Sequence, residues 1–330
     1  MYTKRYYGFW MTFNWSKKPF FYGLIYAFAL NLLHLLCHDY FELSLPWQPI
    51  SLIGIAVAFY LGFKNNSSYD RVWEARKIWG SIVNNSRSLG AATIAFVQGE
   101  NEKSIQKELI YRHIAWLTAL RFQLRLSKEW EHTEERIKGL YSPNICEDYF
   151  DKLDDEAMNF ISETEFKSYK SKANMATQIL ATQSKRLQEL RDKGYYDDFR
   201  HMELHQLMVS FYADQGKSER IKNFPFPRQY ASAALWVTIV FCILFPLGML
   251  DIFENKSSFL FWVCPIFSAA VTWVFFLMEM IGDYSENPFE GTYNDVPITA
   301  IARGIEIDMR QMIDDVNIPE KMTAENGFLL

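Results

Sequence analysis

The sequence predicts an all-α membrane protein, with four transmembrane helices and one large helical insertion between the second and the third. Three observations predict it. Residues 19–38, 43–63, 231–250 and 257–278 form four runs of 20, 21, 20 and 22 residues without Asp, Glu, Lys or Arg. Each exceeds the roughly 18 residues that mark a membrane helix. The runs come as two hairpins, closed by the short links 39–42 and 251–256. Between the hairpins, residues 64–223 contain one proline, Pro143, and apolar side chains recur at helical spacing.

Bulk composition narrows the classes further. Of the 330 residues, 49% are hydrophobic and 17% aromatic, too much apolar surface for a disordered chain. The mean hydropathy of −0.12 averages apolar runs with a polar remainder. A formal net charge of −5 weakens a nucleic-acid reading, which wants a basic footprint. Four cysteines without a CxxC exclude a disulfide scaffold and a standard zinc ribbon.

Taken in order, residues 1–18 carry Lys4, Arg5, Lys17 and Lys18 and no acid, which places this segment in the cytoplasm. Residues 19–38 are the first span. They are too long for the apolar core of a cleaved signal, and Cys37-His38-Asp39-Tyr40 is no cleavage site. The link 39–42 has no basic residue, and residues 43–63 are the second span. Lys64, Arg71, Arg76, Lys77 and Arg87 follow, again the inside pattern. No breaker separates the second span from Tyr69, Val72, Trp73, Ile78, Trp79, Ile82, Val83 and Leu89, so one long helix leaves the membrane here. Further helices are expected at 102–127, 146–168, 172–192 and 198–221, making 64–229 a helical cytoplasmic domain. Phe224-Pro225-Phe226-Pro227 ends the last of them. Residues 231–250 and 257–278 are the third and fourth spans. Residues 279–330 return to the cytoplasm, and amphipathic 298–315 packs back on the helical domain. The expected location is the cell membrane, multi-pass, with both ends inside.

The second span carries two stripes. Gly54, Ala58 and Gly62, spaced by four, are a small-xxx-small face that lets helix backbones approach closely. Ile55, Phe59 and Phe63 form a bulky apolar stripe beside it. The stripes fit plain packing and lipid contact. They equally fit several copies arranged around a narrow apolar constriction that gates by dewetting. The polar cluster Lys64-Asn65-Asn66-Ser67-Ser68 would lie where such a pore widens, or would simply end a helix at the interface.

Other chemistry is sparse. His201 and His205 flank Glu203 at helical spacing but form no HExxH, and no third ligand is evident. Cys37, Cys242 and Cys264 lie in spans, where cysteine acts as a small hydrophobe; Cys146 is solitary. No phosphate-binding, nucleophile-elbow or kinase pattern occurs. The reading therefore has no catalytic residue, metal or cofactor.

Residues 49–80, PISLIGIAVAFYLGFKNNSSYDRVWEARKIWG, resemble the second span of the bestrophin family and the helix running out of it. Glu219-Arg220-Ile221 with Pro225-Phe226-Pro227 resembles the motif before the third span. Glu286-Asn287-Pro288-Phe289 with Asn294-Asp295-Val296-Pro297 resembles the motif after the fourth. The resemblance runs from about residue 5 to 315, and the compact length is similar to the prokaryotic branch. It implies a homopentamer around one central pore, passing monovalent ions passively through the lipid bilayer. Its partners would be further copies of itself, the bilayer and the permeant ions. The family's neck falls on Ile55, Phe59 and Phe63, and its cytosolic pore restriction on Ile179. Animal members hold Ca²⁺ with consecutive acids after the Asn-Pro-Phe motif. Here Glu290 and Asp295 are separated by four residues, a poor cage for a cation wanting six to eight oxygens. No Ca²⁺ clasp is expected, and Asp295 reads as a helix-start cap before Pro297. The family typically passes chloride and other anions, while some prokaryotic members favour cations. The acidic balance leans toward cations. The rival readings are a membrane-anchored scaffold or sensor working through the helical domain, and a membrane enzyme using His201 and His205.

Overall fold

The computed structural model describes residues 1–37, 39–40, 42–131, 145–253, 257–292 and 294–330; the side chains of 145–151 and 258 are not described. Among these, ten helices account for the architecture: α1 Phe9–Cys37, α2 Trp47–Phe96, α3 Glu102–Arg125, α4 Ile145–Met158, α5 Glu163–Lys170, α6 Met175–Asp192, α7 Asp198–Asn223, α8 Arg228–Phe253, α9 Ser258–Asp283 and α10 Ile298–Met312. Tyr2 and Glu325 form isolated bridges to Phe328. Four of the helices, α1, α2, α8 and α9, are long and apolar enough to cross a membrane. Two compact units result. A span unit comprises Arg5–Arg71 and Pro225–Glu286, and a helical unit comprises Met1–Lys4, Val72–Phe224 and Asn287–Leu330.

In the span unit, α1 starts at Phe9, well before residue 19. Lys17 and Lys18 are exposed, so their charges do not interrupt the helix. The preceding turns are anchored by aromatic packing, with Phe13 5.7 Å from Trp273 and the Trp273 indole donating to Ser16 Oγ at 2.8 Å. The expected end of the first span, His38, lies outside the described residues. α2 begins at Trp47, directly after Pro46, so residues 43–46 precede the helix. Pro246 and Pro265 lie inside α8 and α9, as membrane helices tolerate when neighbours satisfy the freed carbonyls. Ile50, Val57 and Leu61 of α2 form a core with Phe241, Phe245 and Met249 of α8. A Cβ on Gly54 would come 2.7 Å from the Phe241 ring, and one on Gly248 2.7 Å from Ile50.

α1 packs closely along α9. Gly23, Ala27 and Asn31 recur every four residues on α1, and Cys264, Ser268 and Thr272 do so on α9; all six are buried. A Cβ on Gly23 would lie 3.0 Å from Thr272 Cβ, and Asn31 Nδ2 donates to the Phe261 carbonyl at 2.9 Å. Small and hydroxyl side chains let the backbones approach, which is the packing that holds helices together in lipid.

The helical unit closes around the fully buried Trp79, Trp116 and Phe211. The stretch expected as one helix over 146–168 is two. Ser162 accepts a hydrogen bond from the Glu165 amide at 3.2 Å, and this S-x-x-E start nucleates α5 afresh. Pro143 and the Cys146 side chain lie outside the described residues. Asn174 and Asp197 cap α6 and α7 in the same way. α10 buries Ile298, Ile305 and Met309 in the same core. It stops at Met312 rather than 315, where Asp314 adopts φ 55° and ends the helix in the left-handed region.

Candidate functional site: an apolar row on the second span

The row begins from helix geometry. Side chains at i, i+4 and i+8 share one face of α2, and at 1.5 Å per residue they span about 12 Å along its axis. Ile55, Phe59 and Phe63 occupy such a face and are 59, 68 and 65% exposed, in a span unit whose opposite α2 face, Val57 and Leu61, is buried. The Phe59 and Phe63 rings lie 6.0 Å apart. Burial on one side and three large apolar side chains on the other leave a row able to repel water and bind nothing polar.

Below Phe63 the polar cluster divides. Asn66 and Ser67 continue the exposed face, whereas Lys64 and Ser68 turn inward and are buried. Lys64 Nζ meets Glu279 Oε1 of α9 at 2.6 Å, and the two side chains are 1 and 10% exposed. One turn further along α9, a Cβ on Gly282 would collide with Asn65 Oδ1. Arg71 Nε donates to the Glu286 carbonyl at 2.8 Å. Sequence reasoning missed the Lys64–Glu279 pair. The available signal was that each is the first charge after its apolar run. A buried pair of this kind fixes the rotation of α2 relative to α9, because removing either partner strands a charge.

The other candidate residues are placed as follows. In the small stripe, Gly54 packs on Phe241 inside the chain, Ala58 is half-buried, and Gly62 has open space before it. Ile179 is fully buried in the core of the helical unit. A side chain closed off within one subunit does not face an axial opening, so this packing does not support Ile179 as a pore restriction. His201 and His205 stack at 6.2 Å between ring centroids. Among the described residues, no group of three His, Cys, Asp or Glu side chains is placed to hold a metal. Cys242 and Cys264 are buried free thiols and Cys37 is half-buried.

Asp295 is not a helix cap. α10 begins behind Pro297 without a side-chain cap. The buried Asp295 carboxylate instead pairs with the Arg125 guanidinium at 3.2 Å. It also accepts from the Gly291 amide and, at 2.8 Å, from Thr292 Oγ1. Gly291, at φ 89°, provides the left-handed turn that aims its amide back at this carboxylate. Tyr293, within the same stretch, lies outside the described residues. A second buried ionisable group, His113, is neutral: burial pushes its pKa down to about 3. Ser86 Oγ lies 2.9 Å from its Nε2 and donates to the Ile82 carbonyl at 2.6 Å, which assigns the proton to Nε2.

Comparison with known proteins gives one consistent result. A voltage-dependent anion channel-forming protein of Mesorhizobium japonicum is 28% identical over 308 residues, covering 92% of this chain and 88% of that one. The voltage-dependent anion channel-forming protein YneE of Escherichia coli K12 is 26% identical over 308 residues, covering 93 and 90%. Among solved structures, a bacterial bestrophin homologue from Klebsiella pneumoniae superposes with a TM-score of 0.76 at 19% identity, covering 91% of this chain and 98% of that one, a shared fold. The model of the Bacterial/Fungal Bestrophin protein family matches residues 18–311: the chain belongs to the bestrophin family.

Proposed function

We propose that this protein is a passive ion channel in which several copies, five by resemblance to the family, close a ring around the exposed α2 row. Ile55, Phe59 and Phe63 of each copy then stack as three apolar rings and form the neck. The observation that carries the reading is that row: three large apolar side chains at one-turn spacing, all more than half exposed, on a helix whose other face is packed. Family membership and anion channel-forming relatives support a channel rather than an enzyme. Four membrane-length helices support a membrane location, with both termini on the cytoplasmic side by the flanking-charge rule. A dry constriction lets ions pass only when it wets, so conduction is controlled by neck width and polarity.

An uncharged neck does not choose the sign of the ion. The relatives' names favour anions, and the net charge of −5 favours cations. The reversal potential of the purified protein in a planar bilayer under a KCl gradient tests the reading. A potential near that of Cl⁻ establishes an anion channel, one near that of K⁺ a cation channel, and silence with and without Ca²⁺ contradicts conduction altogether. Size-exclusion with light scattering tests the ring: a monomer or dimer returns weight to a membrane-anchored scaffold.

A further inference from the structure

A cavity of about 470 Å³ opens in the helical unit where the end of α3 meets α4, α6 and α7. Its volume is that of a small-molecule site. Conduction through the α2 row makes no use of it. It is lined by the buried Phe122, the half-buried Leu153 and Met175, and three charged side chains, Lys128, Lys172 and Glu219. Among the described residues, none of these three charges is joined to an opposite one. The two other cations lining the cavity are neutralised: Arg125 by Asp295 at 3.2 Å and Lys222 by Glu131 at 2.5 Å.

Glu219, from the motif ahead of the third span, is held in an unusual way. Its Oε1 accepts three amide donors, Gln123 Nε2 at 3.0 Å, Asn174 Nδ2 at 2.8 Å and Gln215 Nε2 at 2.8 Å. Gln215 is itself fixed by the Trp116 indole, which donates to its Oε1 at 2.9 Å. Three neutral donors on one oxygen orient the carboxylate without cancelling its charge, and the second oxygen keeps its acceptor capacity. The cavity thus presents one clamped anion, two uncommitted cations and an apolar wall.

We propose that this cavity binds a small zwitterion with an apolar body, of the α-amino acid class. Glu219 receives the ammonium group, Lys128 and Lys172 receive the carboxylate, and Phe122, Leu153 and Met175 take the side chain. The assignment stands independently of which ion the channel passes.

Isothermal titration of the full-length detergent-solubilised protein with L-leucine and L-phenylalanine tests it. Controls are N-acetyl-L-leucine, which lacks the ammonium, and L-leucinamide, which lacks the carboxylate. The expected result is saturable binding of an amino acid, weakened at least about tenfold by either blocked analogue, about 1.4 kcal/mol per tenfold. Glu219→Gln and the double variant Lys128→Gln/Lys172→Gln are expected to weaken it by a similar factor. The lysine pair is the safeguard, since Lys172 is exposed and replacing it leaves the buried network intact. Absence of saturable binding by both amino acids overturns the proposal. Equal binding of the N-acetyl analogue, or indifference to the lysine variant, does so too.

Discussion

Asp295 illustrates how a residue's partner, more than its neighbours in sequence, decides its role. Its position ahead of Pro297 suggests a cap, but the counter-charge is Arg125, 170 positions away, and nothing local announces it. The pair is 1 and 3% exposed. Replacing Asp295 by Asn leaves a buried guanidinium without a counter-ion, a loss of about 3–5 kcal/mol. The thermal midpoint of the purified protein is expected to fall markedly, and an unchanged midpoint would contradict the assignment. His113 supplies a pH prediction. Its folded pKa, pushed down to about 3 by burial, lies below the ordinary value near 6.5. Above pH 6.5 both states are neutral and the group contributes nothing. As pH falls below 6.5 the unfolded chain takes up a proton that the folded chain refuses. Stability then declines by at most about 1.4 kcal/mol per pH unit, down to about pH 3. The difference in thermal midpoint between pH 7.5 and pH 5 is therefore expected to shrink in His113→Gln. At this scale the sequence made the exposed Ile55, Phe59 and Phe63 row legible, because spacing by four on an uncharged helix is a local pattern. It left the ion pairs illegible, because they join distant segments.

Among elements, the four spans were legible from charge-free runs, and their errors are instructive. α1 reaches back to Phe9 because two exposed lysines do not end a helix. The expected 146–168 helix divides because Ser162 offers its hydroxyl to the backbone three residues on. Close packing was sought on α2, at Gly54, Ala58 and Gly62. The structure puts a fuller small-residue seam between α1 and α9, where four of the six contributing residues are Asn, Cys, Ser or Thr and so escape a glycine-and-alanine pattern. The α2 glycines separate into two predictions. Gly54→Val would drive a side chain into the Phe241 ring, 2.7 Å from the added Cβ, and is expected to lower the yield and thermal midpoint of the folded chain. Gly62→Leu meets open space within the chain. It is expected to leave the fold intact but to shift the assembly to smaller species on size-exclusion with light scattering. If Gly62→Leu assembles normally, Gly62 is not at a contact between copies. Lys64→Gln strands Glu279 in a buried site. It is expected to change unitary conductance by freeing the α2 rotation just below Phe63, an effect that Glu279→Gln added to it partly reverses.

At the scale of the whole molecule, two hairpins of apolar helix and one helical insertion were legible because membrane spans and amphipathic helices both write themselves as periodicity and charge. The division into units falls at Arg71–Val72, within α2, where the polypeptide continues as one helix and the sequence gives no punctuation. The family followed from separated motifs in order. The proposed number of copies rests on that resemblance alone, since a ring would be a property of several chains. The exposed α2 row is proposed to be the constriction of a conducting pore. Unitary conductance of wild type and Phe59→Ala, recorded side by side in planar bilayers, tests it most directly. Wild type is expected to show discrete openings, and Phe59→Ala a larger unitary conductance or longer openings, because removing one ring widens and wets the proposed neck. Identical currents from the two proteins, or none from wild type in any salt, would contradict it.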